Sequence, residues 1–282
     1  LGRGGSDTSA ALMAVCLEAA ALEIWTDVPG LFTADPRRLP DARHIRRVGY
    51  REAQELAAMG AKVLHPRCLP PVARAGIPVR VESTLHPELS GTRIEPDANR
   101  GGPAVTAVTA RAGRTLVTVS TLEMWAASGF LARVFAEFGA LGLSVDLVGT
   151  SQSAVSLTLD EVPGGVSGPT FQSLLERLRP LGAVEVVHPC AVVSIVGRAI
   201  RSVLPRLGPA LQAFEERPVH LVSDSSEDLN LSFVVDEADA PALVSRIHGR
   251  LFPAADEPLT EDARLGETWG RLTAPADGRH SR

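Results

Sequence analysis

Apolar positions in residues 1–97 recur with two periods, one typical of helices and one typical of strands. Gly60 directly follows the helical run Glu52–Met59 and is a typical stop signal for it. The predicted elements of this region are helices at Ser9–Ala21, Glu52–Met59 and Cys68–Ala75, and strands at Leu22–Thr26 and Ile77–Glu82. Such alternation predicts an α/β domain with a parallel sheet, and the turn-rich residues 95–103 mark its end.

The next part of the chain contains an internal repeat. Residues 147–159 match residues 221–233 at an offset of 74 positions. The elements predicted around the first copy are strand 115–119, helix 130–141, strands 143–149 and 154–160, helix 170–179 and strand 183–188. This order is a βαββαβ ferredoxin-like unit.

The second copy lacks its last strand. Its predicted elements are strand 191–197, helix 200–215, strands 219–223 and 229–235, and helix 239–250. An unassigned strand at 104–111 can complete it, so that one unit (112–188) is inserted within another (104–111 plus 189–253). Residues 254–282 are rich in Pro, Asp, Glu and Arg, which favours a flexible tail or linker.

Composition narrows the possible partners and location. The 282 residues are 45% hydrophobic and carry a net charge of -5 with both signs mixed, so no nucleic-acid partner is expected. No apolar run reaches membrane-spanning length, so no membrane partner is expected either. Cys16, Cys68 and Cys190 are too far apart for a metal or redox motif, and we expect isolated buried thiols in a reducing cytoplasm.

The basic residues are unusually biased. Of 28 lysines and arginines, only Lys62 is a lysine. A compact ammonium and a planar guanidinium differ as phosphate ligands, so we interpret Lys62 as a position that arginine cannot fill. The alternative is an ordinary surface lysine.

Glycines crowd the first residues of the chain. The run from Leu1 to Thr8 would present backbone amides at the start of a helix, which is an anion site, and Arg3 could hold a carboxylate. A plain glycine-rich connection with Asp7 as helix cap explains the run equally well. Because the chain opens inside this loop, we expect the upstream part of the domain to be missing.

Two further segments carry candidate chemistry. Residues 25–37 concentrate turn residues, a Thr-Asp pair and an Asp-Pro-Arg end, which suits a loop that walls a nucleotide base and directs Arg37 at phosphates. An ordinary loop with a packed Phe32 is the alternative. Lys62 follows a helix end in the segment 60–66, where His65 is more readily a capping or packed residue than a general base.

Three runs, LGRGGSDTSAAL, IWTDVPGLFTADPR and GAKVLHP, resemble the aspartokinases of the amino-acid kinase fold in order and spacing. The resemblance covers residues 1 to about 253, and the repeat looks like the tandem ACT domains that end an aspartokinase. Glutamate 5-kinase and uridylate kinase share a similar middle loop but lack the ACT pair.

The resemblance implies a role for particular residues. Asp7 and Lys62 would be catalytic; Arg3, Gly5 and Ser6 would bind aspartate; and the nucleotide would contact Thr26, Asp27, Phe32, Arg37, Lys62 and Val63. Phe32 stands where the family usually has Tyr. The family's Lys-Phe-Gly-Gly-Thr-Ser motif and its amine-binding acid are not in this sequence, so we expect a partial active site that is inactive alone.

The first ACT unit would carry an effector pocket. The matching residues are Met124, Gly129, Phe130, Leu131, Val145, Asp146, Thr150 and Ser151. Asp146 would pair with the effector's ammonium group, unless it is a solvated turn residue. Ala127 replaces a Ser and Gln152 a Glu of the lysine-sensing pattern, so lysine is the first expected effector and threonine the second.

The implied reaction transfers the γ-phosphate of ATP, with Mg²⁺, to the β-carboxylate of L-aspartate in a cytoplasmic homodimer joined through its ACT domains. No metal is expected to be held by protein ligands alone. Alternatives are a non-catalytic regulatory subunit or another amino-acid kinase. Residues 266–270 lie where fused enzymes continue into a diaminopimelate decarboxylase, which leaves a bifunctional protein open.

Overall fold

The computed structural model describes residues 4–61, 63–96, 104–125, 127–215, 217–225, 227–252 and 264–274, with side chains omitted at 203, 205–207, 209 and 210. It has a mixed α/β fold with three sheets. The elements up to residue 96 are α1 (Gly5–Cys16), β1 (Leu22–Thr26), β2 (Leu31–Phe32), β3 (Arg43–Ile45), β4 (Arg47–Val48), α2 (Tyr50–Ala58), α3 (Leu69–Ala75), β5 (Val79–Ser83) and β6 (Thr92–Ile94).

The remaining elements alternate in the order expected for two βαββαβ units. They are β7 (Val105–Ser120), α4 (Phe130–Ala140), β8 (Val145–Thr150), β9 (Ala154–Leu159), α5 (Pro169–Leu178), β10 (Ala183–Gly197), α6 (Ile200–Leu211), β11 (Val219–Asp224), β12 (Asn230–Asp236), α7 (Ala240–Leu251), β13 (Leu265–Thr268) and α8 (Trp269–Leu272). None of the helices described is long and apolar enough to cross a bilayer.

The first sheet has the order β1-β5-β6-β4 and is mixed rather than purely parallel. Strands β1 and β5 run parallel from Leu22 opposite Val79 to Thr26 opposite Ser83, but β6 is antiparallel to β5. Helices α1, α2 and α3 bury apolar side chains against this sheet in one core. The expectation of isolated buried thiols is wrong for Cys16, which lies exposed at the end of α1, whereas Cys68 and Cys190 are buried.

The second sheet has six strands in the order β11-β12-β10-β7-β9-β8. Strands β7 and β10 are long enough to serve both βαββαβ units. The end of β10 from Val192 to Gly197 pairs antiparallel with β7 from Arg111 back to Val105, so the unassigned strand 104–111 lies beside the first strand of the second copy. The other end of β10, from Ala183 to Val187, pairs with Leu116–Ser120.

The described helices of the two βαββαβ units lie on one face of this sheet. One core packs α4 and α5 on the half containing β8 and β9, and another packs α6 and α7 on the half containing β11 and β12. The opposite faces of the two halves meet, because Leu147 of β8 and Leu221 of β11 share a cluster with Cys190 and Val192. Gly149 permits this approach, since a Cβ there would lie 2.2 Å from Cδ1 of Leu221.

The prediction of a flexible segment at 254–282 is wrong for residues 264–273. Strand β13 pairs antiparallel with β3, and the ring of Trp269 meets the ring of Phe32 edge-on at 5.6 Å. Four-residue strands carry too little periodicity to be recognised among charged neighbours. The partners that fix this segment lie more than 200 positions earlier in the chain.

A buried carboxylate joins the first sheet, the second sheet and the C-terminal segment. Glu52 of α2 is fully buried, and its Oε1 accepts hydrogen bonds from Thr106 Oγ1 at 2.7 Å and Arg264 Nη2 at 2.8 Å. Nε of Arg198 lies 3.6 Å from the same oxygen. Because a buried charge is costly without partners, these contacts hold the three parts of the chain at one point.

We expect Arg264→Met to destabilise the fold strongly, because it leaves the Glu52 charge with fewer compensating groups. Removing one partner of a buried ion pair typically costs about 3–5 kcal/mol. The free energy of unfolding from urea titration measures this. Arg271→Met, on the exposed side of α8, is the control and should change it by less than about 0.5 kcal/mol. Equal unfolding midpoints for the two variants would contradict the role assigned to Arg264.

Candidate functional site

The start of α1 is in direct contact with the segment 60–66. Asp7 Oδ2 accepts a hydrogen bond from the backbone N–H of His65 at 2.9 Å. Gly4 has φ +77, and a Cβ there would lie 2.1 Å from Cδ2 of the His65 ring. Asp7 therefore does not cap its own helix, as one interpretation had it, but holds the segment that contains Lys62.

His65 also has a local role. Its Nδ1 accepts a hydrogen bond from the backbone N–H of Arg67 at 3.3 Å and caps the short 3₁₀ turn Pro66–Cys68. The interpretation of His65 as a capping and packed residue is confirmed. A catalytic base at this position has no support from its contacts.

The carboxyl ends of β1 and β5 form the neighbouring edge. Thr84 donates to the carbonyl oxygen of Thr26 from its N–H at 2.7 Å and from its hydroxyl at 2.9 Å. Helix α1 leads into β1 through residues 17–21 and therefore runs back along the sheet, which puts its start at the same edge. Ligands of α/β proteins bind at this edge, beyond the ends of the parallel strands.

An exposed ion pair lies beside that edge. Arg37 pairs with Asp27, and the two side chains are 56% and 55% exposed. Asp27 also accepts a hydrogen bond from Thr26 Oγ1 at 3.2 Å, and Asp35 accepts one from the backbone N–H of Arg37 at 3.1 Å. These bonds hold the guanidinium of Arg37 against Asp27 at the protein surface, where an anion can still approach it.

Phe32 does not wall an open base site. Its ring is buried and lies 5.4 Å from the ring of His44, in a small cluster with Trp269. The C-terminal segment that covers it was not expected from the sequence. The alternative of a packed Phe32 is therefore the observed one.

The other predicted residues of this site lie in the same region or outside the described residues. Arg3 and Lys62 are in the latter group. Gly5 and Ser6 form the first turn of α1, and the side chain of Val63 packs against the first core. The structure thus brings together the start of α1 and the segment after α2. It places Thr26, Asp27 and Arg37 at the edge beside them.

The predicted effector residues lie on three stretches of the first βαββαβ unit. Met124 ends a 3₁₀ turn; Gly129, Phe130 and Leu131 begin α4; Val145, Asp146 and Thr150 are in β8, and Ser151 follows it. Met124, Phe130 and Val145 share one apolar core. Ser151 Oγ accepts hydrogen bonds from the amides of Ser153 and Ala154, at 3.3 and 3.1 Å.

Asp146 faces the other side of the sheet. A register shift in β8 between Val145 and Val148 turns Asp146 away from α4, and its carboxylate pairs with Arg111 of β7. It is only 20% exposed, so it is not a solvated turn residue. Its carboxylate already accepts a hydrogen bond from Arg111, and it faces away from the backbone amides at the start of α4. β8 is an edge strand of the sheet, so a ligand that contacts both Asp146 and the amides of α4 would have to cross that edge.

Two buried histidines stabilise the contacts between the parts of the chain. His248 of α7 places Nε2 2.8 Å from Thr33 Oγ1, and His44 places Nε2 3.3 Å from Thr92 Oγ1. Burial lowers the pKa of each from 6.5 to about 4, so both are neutral near pH 7. His248 links α7 to the loop after β2, and His44 links β3 to β6.

The chain is similar in sequence and fold to known aspartokinases. Residues 1–83 match the amino acid kinase family. Lysine-sensitive aspartokinase 3 of Escherichia coli (strain K12) is 39% identical over 254 residues, which are 89% of this chain and 56% of that protein. The aspartokinase of Saccharomyces cerevisiae is 31% identical over 94% of this chain and 57% of its own length.

Solved structures agree. Escherichia coli aspartokinase III in complex with aspartate and ADP, in the R-state, has a TM-score of 0.80 at 38% identity and covers 89% of this chain and 57% of its own. The same enzyme with lysine and aspartate, in the T-state, has a TM-score of 0.75 at 38% identity over 89% of this chain and 56% of its own. The chain is similar to these aspartokinases over most of its length. It spans a little over half the length of these relatives.

Several residues around the two candidate sites were not found from sequence. Ser83 and Thr84 could have been, because polar residues at the end of a parallel strand are a known signal for ligand sites. Arg111, Glu52 and Arg264 offered no such signal. Their importance comes from partners far away in the chain.

Stability should fall as the pH is lowered from 7 to 4.5. The unfolded chain binds protons at His44 and His248 near pH 6.5, whereas the folded chain does so only near pH 4, so protonation favours unfolding within that window. The loss is at most about 3 kcal/mol for each histidine. His248→Gln should flatten the dependence of the unfolding free energy on pH, compared with His86→Gln on an exposed loop. Parallel pH curves for these two variants would rule out this role of His248.

Proposed function

We propose that this chain provides the nucleotide-binding part and the amino-acid-sensing part of an aspartokinase, which transfers the γ-phosphate of ATP to the β-carboxylate of L-aspartate. One observation carries the proposal: the start of α1 and the segment 60–66 are locked together through Asp7 and His65. The exposed Arg37 would face the same site. The similar enzyme that holds aspartate and ADP supports it.

In this proposal, the chain contributes charge and position to phosphoryl transfer. Arg37 and Lys62 neutralise phosphate oxygens, and Arg3 binds a carboxylate of aspartate with the amides of Gly5 and Ser6. Asp7 orients the Lys62 segment through the backbone of His65. Thr26 and Val63 border the nucleotide.

Mg²⁺ is expected to arrive with the nucleotide. The described residues contain no group of three or more His, Cys, Asp or Glu side chains that could hold a metal ion. Magnesium in kinases is bound largely by substrate phosphates with one or two carboxylates, and it would offset the charge of those phosphates. Asp27 is the exposed carboxylate that pairs with the proposed phosphate ligand Arg37.

The six-stranded sheet would be a regulatory region of two ACT units, 112–188 and 104–111 plus 189–253, following a kinase part at 1–97. An amino acid, lysine first and threonine second, would bind the first unit and bias the arrangement of the two regions. The lysine-bound structure of the similar enzyme supports this choice. A homodimer joined through ACT units and a cytoplasmic location complete the proposal.

We expect Lys62→Arg, made in the complete enzyme, to reduce kcat/KM for ATP by about 10-fold or more, equal to roughly 1.4 kcal/mol of transition-state stabilisation. A guanidinium needs a wider slot between phosphate oxygens than an ammonium does. Steady-state kinetics with varied ATP measures the effect. Arg67→Lys, an exchange of the same two side chains five positions away, should leave kcat/KM unchanged. Wild-type kinetics in Lys62→Arg would mean that Lys62 is a surface residue.

Effector binding has its own test. Calorimetric titration of the chain with L-lysine, then L-threonine, should show binding that Asp146→Asn weakens at least about 10-fold, because a neutral amide cannot pair with an ammonium group. Asp160→Asn is the matched control, since Asp160 is a more exposed carboxylate at the end of the neighbouring strand. Binding that is equal in both variants would contradict the assignment of Asp146.

A further inference from the structure

Arg111 lies between Asp146, the proposed ligand of the effector's ammonium group, and the segment 60–66. Its side chain is 11% exposed and pairs with Asp146, and its Nη1 is 3.8 Å from Oδ1 of Asp160. The guanidinium thus occupies the place beside Asp146 that an effector's ammonium group would need.

The aliphatic part of the same side chain packs against the end of α2. A Cβ on Gly60, whose φ is +115, would lie 2.8 Å from Cγ of Arg111. Nη2 of Arg111 is 4.0 Å from Sδ of Met59. Any movement of this arginine must therefore displace, or be displaced by, the residues that begin the segment 60–66.

That segment is held at both ends. Gly60 contacts Arg111 at one end, and His65 contacts Gly4 and Asp7 at the other. Ala61 keeps one helix-like hydrogen bond, from its N–H to the carbonyl oxygen of Leu56 at 2.9 Å. The position of the described residues Ala61 and Val63 therefore depends on Arg111 as well as on the start of α1.

The ion pair is also incompletely satisfied. Nε of Arg111 is buried and has no hydrogen-bond partner among the described residues. A half-buried carboxylate such as Asp146 is stable only beside a cation, but that cation need not be this arginine. A ligand that brings its own cation can replace Arg111 without leaving a buried charge unpaired.

We propose that Arg111 is an internal cation that the effector must displace from Asp146, and that its release repositions Met59–Val63. This inference rests on the proposed effector site. Arg111 then has two effects that oppose each other. It lowers the affinity for the effector by competing with it, and it transmits effector binding to the nucleotide side.

The first test is calorimetric titration of the 282-residue chain with L-lysine. Arg111→Met keeps the aliphatic stem but removes the competing charge, so lysine should bind about 10-fold more tightly than to the wild type. Arg114→Met is the matched control, because Arg114 is similarly buried on the same strand and pairs with Asp160 instead. Its affinity for lysine should stay within about twofold of the wild-type value.

The outcomes separate the two proposals. Tighter binding to Arg111→Met than to wild type supports the displacement, even if binding to the wild type is too weak to measure. Equal or weaker binding to Arg111→Met overturns it but leaves the effector site intact. Binding to neither protein overturns both. Should Arg111→Met fail to fold, Arg111→Lys replaces it, with about threefold tighter binding expected because a single ammonium lacks the two-pronged geometry.

A second measurement follows the transmitted effect. Amide hydrogen exchange at Gly60, Ala61 and Val63 should change when lysine is added to the wild type, because Arg111 leaves its place against Gly60. In Arg111→Met the same addition should leave exchange at these amides unchanged although lysine still binds. A purely structural role of Arg111 predicts the same lysine-dependent change in both proteins, and that result would also overturn the displacement.

Discussion

The buried charge of Glu52 is the constraint on which the arrangement of the chain depends. Glu52 sits on a helix of the first sheet, while its partners Thr106 and Arg264 come from the second sheet and the C-terminal segment. A carboxylate removed from water needs such partners, so the three parts cannot separate without exposing or orphaning a charge. The neutral pair of His248 and Thr33 adds a second connection, between α7 on the second sheet and the loop after β2 in the first α/β region.

These contacts fix the first α/β region against the second sheet. A movement of single side chains at their boundary can therefore pass from one region to the other. The segment 60–66 has no regular structure of its own over most of its length, and it takes its position from its two ends. One end lies on Arg111 of the second sheet, and the other on Gly4 and Asp7 of the first α/β region. Glycine is required at both contacts, since a Cβ at Gly4 or Gly60 would overlap the neighbouring side chain. A proposed phosphate-binding lysine thus sits in a span whose ends belong to different regions.

The second sheet shows how one strand can belong to two units. Strands β7 and β10 each continue through both βαββαβ repeats, so neither repeat can close its sheet without residues from the other. The uncovered faces then meet through Leu147 and Leu221, while the polar side chains Ser194 and Ser232 of the same face lie against Met59 of α2. Contacts that the sheet itself provides therefore connect β8 with α2.

Local pattern determined most of the elements of this protein, and tertiary contacts decided what its charged residues do. The helix predicted at 130–141 is Phe130–Ala140, and the strand Leu22–Thr26 has its predicted bounds, because periodicity and β-branched composition act over neighbouring residues. The repeat also indicated that the strand 104–111 completes the second unit, and this part of β7 pairs with β10. By contrast, neither interpretation of Asp146 from sequence included its pairing with Arg111, which lies 35 positions away. The packing of residues 264–273 likewise came only from the structure, because a short charged segment is ordered by distant partners that no local pattern identifies.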